Sequence, residues 1–330
     1  MRIPSNRVLK GDAVRRVAAS ENAGTVSLYY VGIITISAVL VTLINYCLGL
    51  QIAKTGGLSN MGLRSMLSTI QSILPMLQNV LAMCLQIGYL AAIVRIARRQ
   101  YTSAQTLRLG FDRFWLLLRT QILQAFLYTS ICMVAFWIAI QLFLLTPMSG
   151  TASALVEPAI AGGTVNLDIL LEETLYNQLL RAMIPMFAIF AVLYAAFLIP
   201  VAYSLRMVNL LIVDKPGMRA RAILRESRKM MKGNKFRLFR LDLGLWWWYL
   251  LFTLSSILCY GDSLLPMIGI SLPMSEDAAY FLFYGLFLVV QFFLVWKLRS
   301  RVEVSYALFY DIIRPKEEEN SVVLGNIFQM

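Results

Sequence analysis

The chain has 330 residues, of which 59% are hydrophobic and only 15% charged, with a mean hydropathy of +0.68. Water-soluble domains are about a quarter charged, so this much apolar side chain needs lipid as part of its solvent. Histidine is absent, which removes His general bases, His metal ligands and Ser–His nucleophile pairs, although Ser–Lys and carboxylate chemistry stay open.

Net charge is +12, and its placement argues for anionic lipid headgroups and against nucleic acid. Six charge-free windows have the length of a membrane helix: Val26–Leu50, Leu74–Val94, Thr120–Leu145, Ala182–Leu205, Leu243–Tyr260 and Ala278–Trp296. The first begins too late and runs too long for a cleavable signal and reads as an uncleaved span. Of the 30 Lys and Arg residues, only Lys54, Arg64 and Arg181 lie on one side of these windows; the other 27 lie on the opposite side. The positive-inside rule then places both termini in the cytoplasm of a cell with a multi-pass cell membrane protein. The expected organisation is a cytoplasmic arm over residues 1–25, a six-span membrane domain over 26–298 and a cytoplasmic tail over 299–330.

Cys47, Cys84, Cys132 and Cys259 form no CxxC pair, and most fall in apolar spans, where Cys packs as a small hydrophobe. The outer connection 146–181 opens with Pro, Gly, Ser and Ala and turns helix-like from Asn166. Asp168, Glu172 and Glu173 then sit at a helix start, which favours negative charge. No Asp, Glu, Lys or Arg lies mid-span, which argues against a proton-driven transporter. The amides Asn45, Gln78, Asn79, Gln86, Gln121, Gln124, Gln141 and Gln291 suit interhelical hydrogen bonds, with a neutral pathway as the sharper alternative. Pro200, deep in the fourth window, frees the carbonyl of Ala196 and is the candidate hinge. Trp246-Trp247-Trp248 suits headgroup-level anchoring of the fifth window.

The cytoplasmic loop 206–240 is the most patterned segment outside the windows. From Met218 to Lys232, Ala220, Ile223, Leu224, Ser227, Met230 and Met231 fall on one helical arc, with Arg221, Arg225, Arg228, Lys229 and Lys232 opposite. Gly233-Asn234 stops the helix, and the basic–aromatic strip Lys235-Phe236-Arg237-Leu238-Phe239-Arg240 follows. This composition predicts an amphipathic helix on the inner leaflet, with its apolar arc in lipid. Its candidate contacts with anionic headgroups are Arg221, Arg225, Arg228, Lys229, Lys232, Lys235 and Arg237.

The run from Ala222 to Phe239, followed by Leu241-Asp242-Leu243, carries a Ser-Arg-x-Met-x-Gly-Asn-Lys pattern before a Trp-rich span. Together with Tyr306-Ala307-Leu308-Phe309-Tyr310, Gly110-Phe111 and Leu9-Lys10-Gly11, it resembles a bacterial multi-pass membrane protein family of unknown function. Trp296-Lys297-Leu298-Arg299 stands where that pattern would carry Pro-Tyr. The resemblance implies a bacterial cytoplasmic membrane protein and supplies no activity, substrate or catalytic residue.

The fold expected is an all-α polytopic membrane helix bundle of about six transmembrane helices with a cytoplasmic amphipathic helix. No catalytic, cofactor-binding or metal-ligating set is indicated, and no cofactor is expected. The chemistry suits a non-enzymatic membrane partner, scaffold or accessory component that meets lipids and a protein partner or a second copy of itself. The alternative is a facilitator or export permease for a neutral or lipid-like substrate.

Overall fold

Backbone amides and carbonyls find no partner in hydrocarbon, so apolar windows of this length are constrained to close their hydrogen bonds internally as helices. The computed structural model describes residues 5–54, 61–157, 173–267, 269 and 273–314, and every regular element among them is helical. Five helical stretches are long and apolar enough to cross a membrane, or six if a bent pair counts as one span. All four cysteines are free.

By chain contacts the structure divides into two units, residues 1–117 with 207–330, and residues 118–206. The first contains α1 (Asn6–Ala19), α2 (Ala23–Lys54), α3 (Met61–Ala97) and α4 (Leu109–Asp112), with a 3-10 turn, Ala104–Arg108, ahead of α4. α5 (Phe114–Leu144) begins at its edge and belongs mostly to the second unit, with α6 (Pro147–Val156) and α7 (Glu173–Leu205). The first unit resumes with α8 (Val208–Asp214), α9 (Ala220–Met231), α10 (Lys235–Gly244), α11 (Trp246–Leu258) and α12 (Gly261–Met267). It closes with α13 (Glu276–Leu294), a π turn at Val295–Arg299 and α14 (Ser300–Ile313).

α3 is the centre of the first unit. Its apolar window is 67% buried, against 11% for that of α2, and it packs on α1, α2, α4, α8 and α14. The reason is local. After α3 the chain turns back and lays the 3-10 turn and α4 along the last turns of the same helix, backbone against backbone. A methyl at Gly88 would overlap the Leu107 backbone, and one at Gly110 would overlap the Cys84 carbonyl. Small residues that let backbones approach are a main source of helix association in lipid, where burial of apolar area gains little. Tyr89 stacks on Tyr30 of α2 with ring centroids 4.4 Å apart, and the Ser27 and Tyr89 hydroxyls lie within 3.3 Å. Arg299, on the π turn, donates to the Tyr30 hydroxyl at 2.9 Å and covers its ring at 5.0 Å.

Two further bonds join spans of this unit. Gln291 on α13 donates to Ser255 on α11 at 2.7 Å, and Thr42 on α2 donates to Tyr284 on α13 at 2.9 Å. The expected use of an amide between helices is thus found at Gln291.

Within the second unit α6 folds back onto α7, starting with Pro147 at the first helical turn, where a missing N–H costs little. Phe143, Ala152, Ala182 and Met186 form its buried cluster, and Phe136 meets Phe190 edge-on at 5.7 Å. α7 runs through Pro185 and Pro200 as one element, and the Ser204 hydroxyl donates to the Pro200 carbonyl at 2.7 Å. Asp168 and Glu172 lie outside the described residues, and α7 begins at Glu173.

The fifth window is not a straight helix. α10 and α11 meet at a 62° bend, so Leu243–Tyr260 straddles two helices. The sixth window passes through the π turn into α14, whose face from Val302 to Tyr310 is mostly buried.

The glycine contacts give a direct test. Gly110→Ala or Gly88→Ala should destabilise the protein by about 1–3 kcal/mol, as overpacking does. Gly32→Ala, where nothing lies within 4 Å, should leave stability unchanged or slightly raised. Thermal unfolding in detergent reads the difference.

Candidate functional site

Two clusters of polar side chains in the first unit tie the ends of α1, α3, α8, α10 and α14 together. α8 ends at Asp214, and helix ends leave carbonyls without intrahelical partners. Arg113, just before α5, supplies them: its guanidinium donates to the carbonyls of Ile212 at 2.8 Å and Val213 at 2.5 Å. The Asp214 side chain itself is 8% exposed and has to be neutralised by the chain. Arg98, which follows α3, donates to one carboxylate oxygen at 2.7 Å. Arg314 at 2.8 Å and the Tyr310 hydroxyl at 2.9 Å donate to the other. Arg98 also forks onto Asp311, with Nη2 at 2.7 Å and Nε at 3.2 Å from Oδ1. Burial pulls the Arg98 pKa down, but the hydrogen bonds and charges of Asp311 and Asp214 outweigh it and hold the guanidinium above its usual range. With its acids and bases paired to one another, this cluster fastens the ends of α3, α8 and α14.

A second knot sits at the bend. Gly244 ends α10, and its carbonyl accepts from Nζ of Lys10, on α1, at 3.0 Å. A side chain at 244 would press on that ammonium group. Two residues back, Asp242 accepts from the Tyr306 hydroxyl at 2.5 Å, and Tyr306 shares a 2.6 Å bond with Tyr249 of α11. The bend is therefore tied to both α1 and α14.

These knots set what α9 and α10 can show to their surroundings. α9 is the expected amphipathic helix, slightly shorter than read from the sequence, and Gly233 at φ +83° ends it in the left-handed conformation that glycine tolerates. The Asn234 amide donates back to the Met230 carbonyl at 2.9 Å. The apolar arc does not face lipid, which corrects the placement expected for it. Ile223 and Met231 are fully enclosed, Leu224, Ser227 and Met230 are buried with them, and the helix packs on α8. Burying these side chains against protein leaves no apolar face to insert. Arg221, Arg225, Arg228, Lys229 and Lys232 are exposed on the other side, Arg237 is exposed on α10, and Lys235 is half-buried.

α10 is the helix that turns apolar groups outward. Phe236, Phe239 and Leu243 are exposed and lie along one stripe at helical spacing, with Trp246 exposed just past the bend. Leu238 and Leu241 are buried on the opposite face. The Arg240 guanidinium lies 5.6 Å from the Phe236 ring centroid. Pro200 lies in α7, within the second unit.

Sequence reasoning gives Arg98, Asp214, Asp311 and Arg314 no role beyond topology, because single charges at helix ends carry no periodic signal. Lys10, Asp242, Tyr306 and Tyr310 did stand in the quoted motifs, without a role. Asp214→Asn leaves Arg98 and Arg314 facing a neutral amide and should destabilise by about 1–3 kcal/mol, less than for a fully buried pair because both arginines reach solvent. Glu226→Gln on α9 should change thermal stability in detergent by less than about 0.5 kcal/mol.

No curated protein and no solved structure matches the chain. A family model described as a protein of unknown function, DUF975, matches residues 35–317, a stretch that holds both knots except for Lys10. The chain belongs to this uncharacterised family.

Proposed function

We propose that the protein is a non-enzymatic component of a bacterial cytoplasmic membrane, a scaffold or accessory subunit with both termini in the cytoplasm. The observation that carries this reading is the outward basic row of α9, held in place by an apolar arc buried against the protein. A row of cations on a packed helix is a recognition surface for an acidic partner, because the backbone that carries the charges is already ordered before binding. α10 supports the placement. Its exposed Phe236, Phe239 and Leu243, flanked by Arg237 and Arg240, have the composition of a helix lying in the headgroup layer. Each basic residue near an anionic leaflet contributes about 1 kcal/mol, so Arg237 and Arg240 add to that placement of α10.

Two measurements test it. In a background without the four native cysteines, Cys at Ser153 should react with a membrane-impermeant thiol reagent in intact cells. Cys at Arg225 should react only after permeabilisation; reaction of Arg225→Cys from outside reverses the orientation. The triple change Arg225→Gln, Arg228→Gln, Lys229→Gln alters exposed residues and leaves eight of the eleven basic residues in the loop 206–240, so insertion and thermal stability should stay at wild-type level. A protein that co-purifies stoichiometrically with wild type from native membranes should be lost from the triple variant, and from wild type at high salt, as screening requires. Equal recovery with both proteins, or enrichment of a small molecule alone, contradicts the scaffold reading and turns attention to the facilitator alternative.

A further inference from the structure

A cleft of about 560 Å³ opens between α1, the α1–α2 turn and the segment that follows α3, and nothing in the knots above uses it. Three arginines line it: Arg15 and Arg16 from α1, and Arg99 from just beyond α3. Asp12 and Glu21 line it too, and Asp12 already lies 3.7 Å from Arg16, so the cations outnumber the anions by one. The walls are fixed in advance. Arg16 donates to the Ala97 carbonyl at the end of α3, and the Asn22 amide donates to the Thr102 carbonyl at 2.8 Å.

Two buried polar atoms at this cleft lack a hydrogen-bond partner among the described residues, the Thr102 hydroxyl and Arg16 Nε. Thr102 is 2% exposed. Leaving such groups unmet costs free energy, and both can donate to an oxyanion. Arg99 adds an independent sign. It holds φ at +57°, the left-handed position that closes α3, with the Gln100 amide donating to the Arg95 carbonyl at 2.9 Å. Glycine takes this position at no steric cost, whereas Arg99 holds it against backbone preference.

We propose that this cleft binds a phosphate ester through Arg15, Arg16, Arg99 and the Thr102 hydroxyl, a planar-donor set suited to phosphate oxygens. A net charge of one suits the single negative charge of a phosphodiester. A phospholipid headgroup and a soluble phosphate compound share this chemistry. A neighbouring cleft of about 370 Å³ shares Glu21 and combines apolar Val17, Leu28 and Trp296 with the cations Lys297 and Arg301, an amphipathic lining that favours the lipid.

The inference does not depend on the basic row of α9, and the test separates the two. Full-length protein in detergent, free of added phosphate, is titrated with phosphatidylglycerol and followed by native mass spectrometry, with glycerol 3-phosphate as soluble competitor. Arg99→Gly keeps the left-handed backbone and Thr102→Val removes an unpartnered hydroxyl, so both variants should keep wild-type thermal stability. Each should weaken phosphatidylglycerol binding about tenfold, which is about 1.4 kcal/mol, whereas Arg225→Gln on α9 should leave it unchanged. Displacement only by a large excess of glycerol 3-phosphate assigns a lipid; displacement at equal or lower concentration assigns a soluble phosphate ester. The proposal is overturned if wild type binds neither probe, or if Arg99→Gly and Thr102→Val bind as wild type does.

Discussion

A carboxylate that is 8% exposed at the foot of a helix must be compensated by the chain itself, and the first unit is organised around how Asp214 is met. Its donors come from just beyond α3 and from the end of α14, on either side of more than half the chain. Arg113 meanwhile caps the carbonyls of the helix that carries Asp214. Drawing these ends together brings α8 against α3, and α8 is the surface on which the apolar arc of α9 is buried. The outward basic row is thus a consequence of an ion cluster that touches none of its residues.

The bend between α10 and α11 follows the same logic. A 62° turn breaks the helical ladder and frees a carbonyl, and in a chain with so little water around it a charged donor has to be delivered. Lys10 reaches Gly244 from α1, while Tyr306 reaches Asp242 from α14. A straight continuation would carry Phe236 and Phe239 away from the axis they now follow. The bend lets α10 run at an angle to α11 with its aromatic stripe exposed, and that angle is what makes a headgroup-layer placement geometrically available.

Much of the architecture was legible in the sequence because lipid imposes a length and composition that few other contexts demand. The charge-free windows mark the helices, and the alternation at Ile223, Leu224, Ser227, Met230 and Met231 marks an amphipathic helix and its buried side. What covers that side was not legible. An apolar arc opposite a basic one has the same pattern whether lipid or α8 meets it, and only the packing decides. The bend at Gly244 was hidden because composition does not record where a helix axis turns; the window Leu243–Tyr260 opens at the bend itself, and its charged approach from Lys235 to Asp242 reads equally well as one continuous helix. The window ending at Trp296 stops at the charges of Lys297, Arg299 and Arg301, yet the helix goes on, since Arg299 finds Tyr30 and Glu303 as partners. The ion cluster at Asp214 was invisible for a simpler reason: its members are single residues brought together only by the fold.

The central claim is that α9 meets water with its cations while α10, a few residues later, meets lipid with its aromatics. Site-directed nitroxide labels on full-length protein in anionic nanodiscs measure this directly. Labels at Phe236, Phe239 and Leu243 should collide with oxygen, which partitions into lipid, and labels at Arg221 and Arg225 should collide with a water-soluble paramagnet. Oxygen-dominated relaxation at Arg225, or water-dominated relaxation along the whole Phe236–Leu243 stripe, would contradict the account.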